Sequence, residues 1–208
     1  MEPQRRLPTV GGRACLAFAN TLEGERGEQP HEHVPDFGRL VAWARHARVL
    51  DAARAGALER EARRRPADAQ RVHRRAIRLR EAIFQLVSRT IHGQGVASED
   101  LDALNVELGR ALAHARIASS KRGFAWTWEA PAAELEQLLW PIARSAAELL
   151  ASPDIERVRE CPGDNCDDLF IDTTRNGRRR WCKMSVCGNR AKANSFRARE
   201  RSTRRRRK

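Results

Sequence analysis

The last third of the chain carries two cysteine pairs with the same internal spacing. Four residues separate Cys161 from Cys166, and four residues again separate Cys182 from Cys187, with fifteen residues between the two pairs. Four thiolates form a soft ligand set that suits Zn²⁺ in a tetrahedron, and such a closed shell leaves no position open for a substrate water. The spacing therefore predicts one structural zinc ion bound by these four cysteines.

Two other interpretations of the four thiols stay open at this point, namely two disulfides or an iron–sulfur cluster. Residues 1–12 lack the apolar stretch of a signal peptide, so we expect a cytoplasmic protein, and the reducing cytoplasm disfavours disulfides. Because a structural zinc contributes on the order of 10 kcal/mol to folding, we expect its removal to unfold residues 161–201. The fifth cysteine, Cys15, has apolar neighbours and is expected to be a buried small hydrophobe.

The segment between the two cysteine pairs predicts a small module of loop, hairpin and helix, similar to a treble clef. Residues 169–172 and 179–181 have the composition of two strands, and Asn176-Gly177 between them is a strong hairpin signal. Ser185 is expected to cap a helix that begins near Val186 and carries Cys187 in its first turn.

The residues before this module predict a mainly helical domain, so the fold class is α+β with α-helix predominating. Apolar residues recur every three or four positions in several segments that begin at capping residues or at prolines. The predicted helices follow Asp36, Asp51 and Ser98, cover 68–92 with Gly93 as a left-handed cap, and begin at Pro131 and at Pro153.

Aromatic residues alternate at positions 124, 126 and 128, which predicts a β-hairpin over 115–128 around the turn from Ser120 to Gly123.

The predicted domains are a helical domain over 1–156, a zinc module over 157–201 and a disordered basic tail over 202–208.

The basic charge of the chain is concentrated at its C-terminal end. The whole sequence has 40 Lys and Arg against 27 Asp and Glu, but residues 175–208 hold 15 basic side chains and one acid, Glu200. A codon bias toward arginine acts on the whole chain, whereas residues 1–174 are balanced, so we infer that this charge serves a polyanionic partner. The alternative is that these arginines only solvate the protein surface or form ion pairs with acidic residues of the preceding domain.

The candidate nucleic-acid contacts lie on one helical face, on its flank and on the predicted hairpin before the helix. Four of them, Arg190, Asn194, Arg197 and Arg201, recur at i, i+4, i+7 and i+11, which places them on one side of a helix. The set comprises Arg178, Arg179, Arg180, Arg190, Lys192, Asn194, Arg197, Arg199 and Arg201. Trp181 and Phe196 are expected in the core of the module, which leaves no aromatic side chain for stacking on single-stranded bases and favours DNA over RNA.

The stretch from Cys161 to Arg199 resembles the CGNR zinc-finger family, through FIDTTRNGRRRWC and the tetrapeptide Cys187-Gly188-Asn189-Arg190. The residues before it are similar to the ABATE domain that often precedes this finger, through Gly11-Gly12, Cys15-Leu16, Phe18, Asn20-Thr21, Leu40 and Trp43. The resemblance implies a bacterial, stress-induced transcription regulator.

We therefore expect a zinc-finger, DNA-binding transcription regulator, with the N-terminal domain sensing a ligand or mediating oligomerisation. Asn20 and Thr21 are the candidate ligand-binding residues, and a homodimer on paired half-sites is expected because one module has a small footprint. The alternative is a zinc-stabilised adaptor that binds RNA or protein.

We do not expect an enzyme, because the chain has no Gly-rich phosphate loop, no H-E-x-x-H and no G-x-S-x-G motif. No run of apolar residues is long enough for a membrane span, so no membrane partner is expected, and DNA binding would place the protein at the nucleoid.

Overall fold

Helices predominate in the computed structural model, which describes residues 7, 9–24, 30–120 and 123–206 and the side chains of these residues as far as Arg199. The described helices are α1 (Ala14–Ala19), α2 (Phe37–His46), α3 (Ala52–Arg64), α4 (Pro66–Ile91), α5 (Ser98–His114), α6 (Trp140–Leu150) and α7 (Asn189–Arg206). The described strands are β1 (Leu22–Glu23), β2 (His31–Glu32), β3 (Ala115–Ser120), β4 (Gly123–Trp128), β5 (Val158–Glu160) and β6 (Leu169–Ile171). Each strand pairs antiparallel with one neighbour, as β1-β2, β3-β4 and β5-β6.

The predicted helix starts after Asp36 and Asp51 are confirmed. The Asp36 carboxylate accepts a hydrogen bond from the Arg39 amide and that of Asp51 from the Arg54 amide, both at 2.8 Å. These bonds satisfy amides that have no partner inside the first turn of a helix. Gly93 follows α4 with φ +65, as a left-handed cap requires.

The core is built around the short helix α1, whose residues from Cys15 to Ala19 are buried. It contacts α4 and α6, and the Phe18 ring lies 5.1 Å from the ring of Trp43 on α2. The chain enters α1 through Gly11, whose φ is +141 and where a Cβ would lie 2.8 Å from the Ala17 backbone nitrogen. Only glycine fits at this close approach.

The hairpin predicted over 115–128 is confirmed as β3 and β4, although its turn residues Lys121 and Arg122 lie outside the described residues. Trp128 lies against Trp140 at 5.9 Å, so one end of the hairpin is anchored on the core. The other end is exposed.

The helix predicted to begin at Pro131 is wrong. A 3₁₀ helix covers Leu135–Leu138, and α6 begins only at Trp140. Pro141 explains the break, because proline has no amide hydrogen and its ring clashes with the carbonyl four residues before it. The short helix predicted at Pro153 forms as a 3₁₀ helix, Pro153–Arg157.

The hairpin predicted between the cysteine pairs is also wrong. Strand β6 pairs with β5, which precedes the first cysteine, and residues 179–181 form no strand. Side chains alternate across β6, so that Leu169 and Ile171 join the main core while Phe170 packs with the cysteines. Strand β6 is therefore a shared wall between the helical part and the cysteine cluster.

Among the residues that the structure describes, no helix combines the length and the apolar character needed to cross a membrane.

Helix α7 continues to Arg206, so it includes most of the segment predicted as a disordered tail, whose last two residues, 207 and 208, lie outside the description.

Candidate zinc centre and basic helix

The four predicted cysteines converge on one point. Their sulfur atoms all lie within 4.8 Å of one another, and the Sγ atoms of Cys166 and Cys187 each lie 3.7 Å from that of Cys182. A tetrahedron with Zn–S bonds of about 2.3 Å has sulfur–sulfur edges of about 3.8 Å. The sulfurs therefore fit one zinc ion with four thiolate ligands.

Three different local structures hold the cysteines in this arrangement. Cys161 follows β5, and its amide donates to the Asp168 carbonyl at 3.0 Å, which closes the first loop. Asn165 precedes Cys166 with a left-handed φ of +52, so that the loop turns back toward the cluster. The Cys182 amide points at the Cys161 sulfur at 3.5 Å, an N–H to sulfur contact that stabilises a thiolate.

The fourth ligand lies in a wide turn. Residues Met184–Gly188 form one π-helical turn before α7 begins at Asn189. The predicted cap at Ser185 is wrong, because the helical turn starts one residue earlier and the Gly188 amide reaches back to the Lys183 carbonyl, at 3.4 Å. The extra residue of a π turn places Cys187 in the turn itself rather than in the first turn of α7.

Gly163 lies against the cluster. A Cβ at this position would lie 3.1 Å from both Cβ and Sγ of Cys187 and 3.5 Å from Sγ of Cys161. A side chain at this position crowds Cys187, which would have to shift by a few tenths of an ångström to make room. The close approach explains a glycine at this point of the first loop.

The electrostatics of the cysteine cluster favour a bound cation. The pKa of the Cys182 thiol is raised by its hydrogen bonds to Cys161 and Cys166 and by burial, and burial also raises the pKa of the Asp168 carboxyl to about 6. Without a cation, several negative charges cannot share so small a volume. A divalent metal that displaces the thiol protons removes this conflict.

Arg179 lies at the centre of the loop that leads to the second cysteine pair. Its guanidinium donates to the carbonyls of Trp181 and Cys182 and lies 4.5 Å from the centre of the Phe170 ring. Its amide donates to the buried Asp172 carboxylate at 2.8 Å. These bonds stabilise the segment in place of the hydrogen bonds between strands that the predicted hairpin would have made. They also show that Arg179 holds the loop in its conformation.

Asp172 also accepts hydrogen bonds from the amide and the hydroxyl of Thr174. Hydrogen bonds from Thr174 lower the pKa of this carboxyl, so it is ionised across the physiological range. Sequence reasoning missed this anchor, although an acid two residues before a threonine is typical of such a turn.

Two of the predicted nucleic-acid contacts fasten α7 to the first cysteine loop. The Arg190 guanidinium donates to the Asp164 carbonyl, and the Asn194 amide group donates to the Asp164 carboxylate, both at 2.7 Å. Asp164 was not foreseen from the sequence, since nothing in the spacing shows which loop side chain faces the helix.

The remaining predicted contacts are on the surface. Arg178 and Arg180 are exposed in the loop, and Lys192, Arg197 and Arg199 are exposed on α7, whereas the side chain of Arg201 lies outside the description. The prediction that Phe196 belongs to the core of the module is wrong, because this side chain is 63% exposed. Trp181, in contrast, packs against the cysteine cluster as expected.

The predicted ligand-binding residues are both buried and hydrogen-bonded. The Asn20 side chain donates to the carbonyls of Val10 and Leu169 and accepts from the Leu169 amide, at 2.9 to 3.0 Å. The Thr21 hydroxyl donates to the Phe18 carbonyl at 2.7 Å. Asn20 thus pairs with the free edge of β6 as a neighbouring strand would.

The matches to known families follow the two parts of this architecture. Residues 12–153 match ABATE, "Putative stress-induced transcription regulator", and residues 157–200 match the CGNR zinc finger. The chain belongs to the ABATE family. The CGNR match covers all four cysteines, so in this ABATE protein they are the ligands of a zinc finger.

One curated protein with partial similarity is an aspartate carbamoyltransferase catalytic subunit from Leifsonia xyli subsp. xyli (strain CTCB07). It is 34% identical over 104 residues, which cover 45% of this chain and 33% of that protein. The ABATE chain thus spans about a third of the length of that relative.

Proposed function

We propose that this ABATE protein regulates transcription by binding duplex DNA through the basic helix that its zinc finger holds. The observation that carries the proposal is helix α7, which continues from the zinc centre and is exposed from Lys192 to Arg199. The sequence of α7 contains eight Arg and Lys residues and one acid, Glu200. An α-helix of this kind fits the major groove of DNA, and its cations match the phosphates on either side.

The helix has little to stabilise it on its own. Its described contacts with other elements are mainly with the π turn that precedes it, and its like charges repel one another. A polyanion that neutralises these charges removes the repulsion and therefore stabilises the helix. We therefore expect the helical content of the protein to rise when DNA binds.

The division of roles among the arginines follows from their contacts. Arg179, Arg190 and Asn194 hold the loop and the helix in place, through hydrogen bonds to backbone carbonyls and to Asp164. Arg190 is also exposed, but its bond to the Asp164 carbonyl occupies it, so phosphate contacts fall mainly to other exposed cations, which include Arg178, Arg180, Lys192 and Arg197. Six to ten such contacts would weaken binding by roughly three to five decades between low and moderate salt.

Fluorescence anisotropy with the zinc-loaded full chain tests this proposal. Duplex DNA and structured RNA are titrated over a salt series with the wild type and with a Lys192→Ala, Arg197→Ala double variant. We expect the variant to lower the slope of log affinity against log salt by about two. A matched control is Arg63→Ala with Arg64→Ala at the end of α3, which removes the same charge from a different exposed surface.

The proposal fails if neither variant changes the salt slope, or if both change it equally. Binding of the RNA with higher affinity than the duplex would instead support a zinc-stabilised adaptor. We propose no catalytic role for the zinc, because four thiolates complete its tetrahedron and leave no position for water.

The hairpin β3–β4 favours a second role, self-association of the ABATE domain. Ile117 and Trp126 pair across the hairpin and therefore lie on one face, where they are 57% and 47% exposed, and Phe124 on the same strand as Trp126 is 81% exposed. We propose that this face joins two copies, so that two fingers reach paired half-sites. Sedimentation velocity of Phe124→Ser, compared with Ser119→Ala opposite it, tests this, and equal masses for wild type and both variants would contradict it.

A cavity of about 500 Å³ beside the zinc centre is the place we propose for an effector. Residues of the ABATE domain, including Glu23 and His46, and residues of the finger, including Asp168 and Lys183, line it together. A molecule bound there touches both parts. Native mass spectrometry of the purified full chain tests the proposal, and a His46→Trp variant that fills the cavity is expected to lose any bound mass.

A further inference from the structure

Phe196 is the one aromatic residue in the sequence of α7, and it is 63% exposed among cationic side chains. An aromatic side chain on such a helix gains free energy only when a partner covers it. Single exposed apolar residues are common on protein surfaces, so exposure alone assigns no role. The position of Phe196 relative to the anchored side of the helix supplies the second observation.

Arg190 and Asn194 show which side of α7 faces the finger, because both bind Asp164 of the first cysteine loop. At 3.6 residues per turn, Phe196 points about 140° away from the mean direction of these two side chains. Lys192 precedes Phe196 by four residues and lies on the same outward side. The outward face of α7 thus combines an apolar ring with a cation one turn away.

We propose that Phe196 contacts the C5-methyl groups of thymines in the major groove, while Lys192 binds a neighbouring phosphate. This inference rests on the proposed DNA binding and adds a base preference to it. The thymine methyl is the apolar group that the major groove presents, and apolar side chains recognise it there. Proteins that stack single-stranded bases use aromatic residues inside a basic groove, whereas Phe196 is on a convex helix, so the duplex is favoured.

The test compares two duplexes that differ only in the methyl group. One is a short A·T-rich duplex, and the other has deoxyuridine in place of every thymidine. We expect the zinc-loaded full chain to bind the thymine duplex about fourfold more tightly for each methyl in contact. Phe196→Ala should bind both duplexes equally, and Phe196→Leu should recover part of the preference. Ser195→Ala, next to it on the exposed surface, is the matched control and should behave as wild type.

The salt dependence separates this inference from the proposed function. Phe196→Ala removes no charge, so its slope of log affinity against log salt should equal that of the wild type. Salt-dependent duplex binding without any thymine preference, or a preference that survives in Phe196→Ala, overturns the inference and leaves DNA binding intact. Tighter binding of a single strand than of either duplex, lost in Phe196→Ala, overturns it in favour of base stacking. Absence of binding to any duplex overturns both proposals.

Discussion

Replacing Asn20 by alanine should destabilise the whole protein, even without any ligand. The Asn20 side chain makes three hydrogen bonds, two of them with the amide and carbonyl of Leu169, a residue that is 0% exposed. Alanine leaves both buried groups of Leu169 without this partner, and each such group costs about 1–3 kcal/mol. We therefore expect the free energy of unfolding to fall by about 2–6 kcal/mol, a large part of a typical total.

Urea denaturation of the zinc-saturated protein measures this loss, and hydrogen exchange of the Leu169 amide locates it. Asn105→Ala is the control, because Asn105 is exposed on α5 and its removal should change stability by less than about 0.5 kcal/mol. The reasoning is refuted if Asn20→Ala behaves like this control and the Leu169 amide exchanges at the wild-type rate. Asn20 would then be available for the ligand role that the sequence suggested.

Four further outcomes follow from the structure. The sequence alone predicts that zinc removal unfolds all of residues 161–201, whereas the structure predicts a smaller change. Chelation should expose the amides of residues 182–199 to exchange while the Leu169 amide stays protected, because β6 packs into the main core. Loss of protection throughout would show that the core depends on the metal. Gly163→Ala should weaken zinc binding in a competition with a chromogenic chelator by about 10- to 100-fold, since overpacking costs about 1–3 kcal/mol, and an unchanged affinity would mean that the loop adjusts. Gly11→Ala should lower the urea midpoint strongly, given the close approach at this residue, and a midpoint like that of wild type would contradict the packing described. Burial raises the pKa of Cys15 to about 11. Its contribution to the free energy of unfolding is therefore complete at neutral pH and is lost as the pH rises from about 9 toward 11, because in this range only the thiol of the unfolded chain ionises. In Cys15→Ala, denaturation curves measured over this pH range should lack that part of the fall in stability.

The zinc site was predictable because the residue type of its ligands and their spacing in the sequence are both typical of a zinc site. Four soft thiolates in two equally spaced pairs are a ligand set typical of structural zinc, and the structure brings the same four sulfurs together. The helices that begin at Asp36 and Asp51 were predictable for a similar reason, since a cap acts within three residues of its own position.

The pairing partner of β6 was not predictable from local signals. Asn176-Gly177 does form a turn, with Gly177 at φ +62, but the chain after it is held by Asp172 and not by a strand ladder. Strand β5, the actual partner, precedes the first cysteine, and only the tertiary structure decides between two pairings of similar local quality. The same holds for Phe196, whose sequence neighbours do not show whether any element covers it.

The sequence by itself determined the chemistry of this protein: a four-thiolate zinc site, helices with defined starts, and a surplus of positive charge at one end. Those properties depend on residue type and on spacing along the chain, both of which can be read without knowing the fold. Only the tertiary structure decided that Asn20 is hydrogen-bonded to β6, that Arg179 and Arg190 support the finger, and that Phe196 faces solvent. The physical reason is that a hydrogen-bonding or apolar side chain takes its role from whatever the fold places beside it, and these partners lie far away in the sequence.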